Sequence, residues 1–150
     1  METGKNNCVF CRIVSGEETS SKIYEDDLIL AFMDIRPIHQ GEFMVVPKKH
    51  IDHFCDIPDD LSQHIMKHTQ ILARKLKEEF NPVRVGYVVH GFGVAHAHLV
   101  IVPLYERDDI TSIKFMEVIN DEIKINFEKV PLTERKELDR VAAILRNTKE

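Results

Sequence analysis

The sequence predicts an α+β fold, with an antiparallel sheet of about five strands, one long central helix and a C-terminal helix. Short runs of β-branched and aromatic residues, separated by turn signals, fill 23–47 and 83–103. Residues 59–80 carry apolar side chains at helical spacing. The strands are grouped rather than alternating with helices, which favours antiparallel pairing over a parallel βαβ sheet.

Residues 23–34 read as a hairpin, with the Glu25-Asp26-Asp27 cluster as its turn. Residues 42–47 form a third strand, stopped by Pro47. The helix over 59–80 starts after Pro58 with an acidic first turn. Its inner face is Leu61, Ile65, Leu72, Leu76 and Phe80, and Asn81-Pro82 ends it. Residues 83–90 and 97–103 read as two more strands, closed as a hairpin around Gly93. Residues 131–147 read as a helix with Thr133 as cap and Leu138, Val141, Ala142 and Leu145 on one face. The apolar segment 111–127 is expected to be at least partly helical.

No repeat, low-complexity tract or linker interrupts the 150 residues, so one domain spanning 1–150 is expected. No apolar run approaches the roughly 18 residues that span a membrane. Met1–Asn7 is short and polar, unlike a signal peptide, and the expected location is cytoplasmic. A net charge of −5 argues against a general affinity for nucleic acid, although one local pocket can still take a small anion.

Three cysteines do not suit a disulfide framework. Cys8 and Cys11 form a CxxC pair that can bind a metal or do redox chemistry; no thioredoxin-like context follows it. His96 and His98 alternate, so in a strand both side chains take one face while Ala97, Leu99 and Ile101 take the other. Closure around Gly93 would set His90 opposite His96 on that face. Imidazoles grouped this way can bind metal or act as nucleophile and acid/base near neutral pH. A lone strand histidine is more often a plain surface residue.

The run His96-Ala-His98-Leu-Val-Ile-Val-Pro103 resembles the signature of the histidine triad family. Cys8–Glu17, Ala31–Pro37 and Met44–His50 resemble, in order, its N-terminal stretch, nucleoside-binding strand and third strand. The resemblance covers roughly 8–105; the remaining 106–150 reads as a mostly helical C-terminal extension. It implies a HIT-like sheet and a nucleotide hydrolase or nucleotidyl transferase working at the α-phosphate of a purine nucleotide derivative. His98 would be the nucleophile that carries a covalent nucleotidyl group, and His96 the first triad histidine. Asp34 would hold the ribose hydroxyls, with Phe10, Ile35 and, less centrally, Phe32 forming the base slot. Without the resemblance, Asp34 reads as a turn cap. In the zinc-bearing, Hint-like branch the ligands would be Cys8, Cys11, His50 and His96, a closed set that suits structural Zn2+. Members of this size usually form homodimers.

The chain departs from that pattern. Val100 stands at the third histidine, and His90, Phe92 and Gly93 stand where Asn, Gln and Ser are usual. Losing such a donor costs roughly a hundredfold in rate, and His90 is the residue placed to compensate. A nucleotide-binding regulatory protein with little or no turnover, or a zinc-stabilised interaction module, are the competing readings. His64 and His68, at i, i+4, could bind metal but read first as solvated helix residues. Lys48 and Lys49 read as surface residues or phosphate partners; His39, His53 and Cys55 read as loop residues.

Overall fold

The computed structural model describes residues 7–109, 115–126 and 129–146. The first element is a helix that the strand pattern did not announce, α1 (Val9–Ser15). Cys8 caps it, its Sγ accepting from Cys11 N at 3.5 Å, and Gly16 ends it at φ +84°, a conformation that favours glycine. The helix therefore begins and ends on residues fixed by the local sequence, and its first turn carries the CxxC pair.

Strands β1 (Lys22–Glu25), β2 (Ile29–Met33), β3 (Phe43–Pro47), β4 (Arg84–Val88) and β5 (Leu99–Leu104) form one antiparallel sheet in the order β1-β2-β3-β5-β4. Asp26 shapes the β1–β2 turn by accepting from Leu28 N and Ile29 N. Every residue of β2 is buried, because both sheet faces are covered. Ile29, Ala31 and Met33 join the larger core with Phe43 and Val45, while Leu30 and Phe32 pack on the α1 side with Phe10, Ile13 and Val46. This is the period-two alternation of a strand between two layers.

Helix α2 (Asp59–Phe80) covers the first face and ends at Asn81, φ +48°. Ile65, Leu72 and Leu76 are buried, with Leu61 and Phe80 packed at the margin. Each fully buried Leu or Ile contributes roughly 1.5–3 kcal/mol. Helix α3 (Arg135–Arg146) adds Leu138, Val141, Ala142 and Leu145 to the same core. It starts later than expected: Thr133 gives its N–H to Ile35 O rather than capping the helix. Residue 147 lies outside the described residues.

The α+β expectation holds, with three local corrections. Residues 116–125 are a hairpin, β6 (Met116–Ile119) and β7 (Glu122–Ile125), where helix was expected. Asn120 and Asp121 both take positive φ, +53° and +62°, the two-residue turn that closes a twisted hairpin. Residues 111–114 and 127 of that expectation lie outside the described residues. The β4–β5 register pairs Val88 with Val100 and Arg84 with Leu104, which centres the connection on Val94, not Gly93. His90 therefore falls at the level of His98, not of His96. His96, Ala97 and His98 also precede β5 instead of beginning it.

Candidate active site and candidate metal centre

Alternation around His96 and His98 persists although both lie just outside the strand. Ala97 joins the α2-side core, and its N–H is held by Ile51 O at 2.6 Å. His96 and His98 both turn toward α1, where Phe10 meets them edge-on at ring distances of 5.8 and 5.3 Å. Phe10 thus separates two clusters that share the His-x-His segment.

The first cluster is Cys8, Cys11, His50 and His96, whose ligand atoms all lie within 4.8 Å of one another. Cys8 Sγ is 3.5 Å from His96 Nδ1, and Cys11 Sγ is 3.2 Å from His50 Nδ1 and 3.6 Å from His96 Nδ1. His96 is fully buried and its Nε2 lies 2.9 Å from Pro47 O. A carbonyl oxygen only accepts, so Nε2 carries the proton and Nδ1 presents its lone pair to the sulfurs. Burial lowers the proton affinity of His96 further, keeping it neutral. Two thiols and two imidazoles converging this way are chemically suited to a tetrahedral borderline ion such as Zn2+. No disulfide joins the cysteines among the described residues.

The second cluster lines a cavity of about 520 Å³, a volume typical of small-ligand sites. His98, Asp34, Ile35, Phe10 and His90 all face it, as does Val100 beside His98. His98 Nδ1 lies 2.7 Å from His96 O, so the ring donates there and leaves Nε2 as the basic nitrogen. Asp34 Oδ1 accepts from Arg36 N at 2.8 Å, so the turn-capping and the site readings describe the same residue. Desolvation raises the Asp34 carboxyl above its ordinary range; the Arg36 N–H and His98 oppose this.

One expectation changes here, and one alternative is settled. Phe32 is not among the cavity residues: it sits behind Phe10, edge-on at 5.5 Å, because the alternation of β2 sends it into the α1-side core. Lys48 pairs with Glu25 at 2.9 Å and lies outside the cavity. Among the loop residues, His39 pairs with buried Asp109 at 2.9 Å, while Cys55 is exposed.

Of the cavity contributors that sequence reasoning missed, three bear most on its charge and closure. Glu42 is buried beside Asp34, with Oε2 accepting from Ile38 N at 2.7 Å. Burial and then the Asp34 charge push its carboxyl up to about 8. Its alternation with Met44 just before and within β3 was a readable signal. Val130 closes the cavity near Ile35 and is anchored by Arg36, whose guanidinium donates to Val130 O at 2.6 Å. Only tertiary structure brings that segment 94 residues along the chain to the site. Val88 is the third, placed by the β4–β5 register.

The chain belongs to the HIT domain family, whose sequence model matches residues 15–107. It is 34% identical over 108 residues to Protein hit of Bacillus subtilis, across 69% of this chain and 74% of that one. It is 34% identical over 109 residues to adenosine 5′-monophosphoramidase HINT3 of Mus musculus, across 67% and 66%. Among solved structures it resembles a Zn-bound histidine triad family protein from Mycobacterium smegmatis, with a TM-score of 0.70 and 26% identity over 95% of this chain and 93% of that one. No helix among the described residues is long and apolar enough to cross a membrane.

Proposed function

We propose that this protein is a nucleotide hydrolase or nucleotidyl transferase acting at the α-phosphate of a purine nucleotide derivative, with a nucleoside phosphoramidate as the first substrate to consider. The observation that carries this reading is the orientation of His98: its Nδ1 is committed to His96 O, and its basic Nε2 belongs to a ring that lines the same cavity as Asp34. The phosphoramidase relative adds support for the substrate class.

In this reading Asp34 accepts the ribose hydroxyls, and Ile35 and Phe10 flank the base. His98 Nε2 attacks the α-phosphorus; the bond to the leaving amine breaks, and the amine departs with a proton from a neighbouring donor, for which His90 is the candidate. Water then opens the nucleotidyl-His98 intermediate and releases the nucleotide. Cys8, Cys11, His50 and His96 would hold a structural Zn2+, which would cross-link α1 to the His98 segment and fix the His96 carbonyl that orients His98. Homodimerisation and a cytoplasmic setting belong to the same proposal.

One observation favours a second reading, a nucleotide-binding regulator with slow turnover. Val100 faces the cavity beside His98 and offers no hydrogen bond where the family pattern has its third histidine. Incubation with adenosine phosphoramidate, and separately with a diadenosine polyphosphate, tests both. AMP release that disappears in His98→Ala supports the enzyme; nucleotide binding without release above that variant supports the regulator.

A further inference from the structure

A second cluster of metal-binding side chains lies away from the cavity and is not used by the nucleotide reading. Asp26 sits in the β1–β2 turn; His64 and His68 stand one turn apart on α2. Asp26 Oδ1 is occupied by Leu28 N and Ile29 N. Its Oδ2 faces the helix, 2.7 Å from His64 Nε2, and accepts from the Tyr24 hydroxyl at 2.8 Å. The His68 ring stacks on Tyr24, with centroids 4.7 Å apart, and lies 4.4 Å from the His64 ring. Ligand atoms of Asp26, His64 and His68 all fall within 4.8 Å of one another.

An ion pair explains His64 with Asp26, but not the second imidazole held against the first. Two protonated rings at that separation repel; two neutral rings beside an ionised carboxylate form a cation site.

We propose that Asp26, His64 and His68 form a second divalent-cation site, selective for a borderline ion such as Zn2+, Ni2+ or Cu2+, that pins the β1–β2 turn to α2. Two imidazoles on successive helix turns present nitrogens to one ion. Imidazole with a single carboxylate suits these metals, whereas Mg2+ and Ca2+ need more oxygen ligands. A tetrahedral ion holds its ligands about 3.3 Å apart, a spacing these side chains reach through their own torsions. The Tyr24 hydroxyl orients the carboxylate from behind. Three protein ligands leave a coordination position for water, and with Asp26 and His64 about a quarter exposed the ion can exchange with solvent. The site contains no thiolate, which separates it chemically from the cysteine cluster.

The test is metal counting on the full-length protein, stripped of metal and dialysed against Zn2+ and then Co2+. Cobalt bound at the cysteine cluster shows thiolate charge-transfer absorption; cobalt at the Asp26 site does not. The expected result is one equivalent without the thiolate signature, lost in both His68→Gln and Asp26→Asn and undisplaced by excess Mg2+. Both substitutions keep side-chain size, and unchanged circular dichroism confirms that each variant folds. A wild type that binds only thiolate-signature cobalt overturns the proposal, as does a thiolate-free equivalent that survives in either variant. The count does not depend on whether the cysteine cluster is loaded.

Discussion

His98 gives its Nδ1 proton to the backbone carbonyl of His96, 2.7 Å away, so the ring facing the cavity is oriented by the residue whose side chain faces the cysteines. Removing the ring should abolish turnover while leaving the pocket that binds the nucleoside. For His98→Ala we expect AMP release from adenosine phosphoramidate to fall by roughly a thousandfold or more. Nucleotide affinity, measured by calorimetry, should change by less than about tenfold. Undiminished AMP release in the variant would remove His98 from the nucleophile role.

Asp34 offers a separate test, because Asn can keep the turn that Oδ1 makes with Arg36 N. Asp34→Asn should therefore fold normally but bind adenosine nucleotides about ten- to a hundredfold more weakly, the effect of losing a charged acceptor. The same substitution should narrow the preference for ribose over 2′-deoxyribose. Equal losses with both sugars would place the carboxylate elsewhere.

Glu42 makes stability depend on pH. Its folded carboxyl is raised from 4.5 to about 8, chiefly by burial and then by Asp34. A raised pKa means that the folded state holds the proton more tightly than the unfolded state. The contribution is thus complete below about pH 4.5 and is lost as pH climbs toward 8. Glu42→Gln should flatten that decline and stabilise the protein at pH 8, on the order of a few kcal/mol. Denaturant midpoints at pH 5 and pH 8 measure it, and identical pH slopes for the two proteins would contradict it.

For the cysteine cluster, we expect chelation at neutral pH to lower Tm by at least about 5 °C, since bound metal adds directly to folding free energy. Cys11→Ser combined with His68→Gln should give a similar loss and make the protein insensitive to chelator. A chelator-sensitive Tm in that double variant would point to metal held at neither cluster.

Gly41 takes φ +102°, where a side chain is strained, and an added Cβ would meet the Phe80 ring at 3.3 Å. Gly41→Ala should cost about 1–3 kcal/mol. It should also weaken nucleotide binding, because Gly41 precedes Glu42 in the turn that carries Asp34.

What could be read in advance followed from period and chemistry. The two-residue alternation of 96–101 and the helical spacing of 59–80 survive in the folded chain. The cysteine–histidine set and the pairing of His98 with Asp34 were legible through the motif. The 116–125 hairpin was misread because Val118, Ile119 and Ile123 suggest an apolar helix, while the informative pair was Asn120-Asp121. His90 was misplaced because glycine position alone does not set a register. Phe32 was assigned to the slot although its neighbours in alternation already sent it into the core. Val130 had no local signal, since its role arises only when the chain returns to Arg36.

That return has a consequence for synthesis. The family match ends at residue 107, yet Val130 supplies a wall of the cavity, and Arg135 from α3 donates to Ser21 beside β1. A nascent chain halted after the matched segment would carry Asp34 and His98 but no closed pocket. Ligand capture should therefore begin only once α3 has emerged from the ribosome and docked, making it a reporter of that docking.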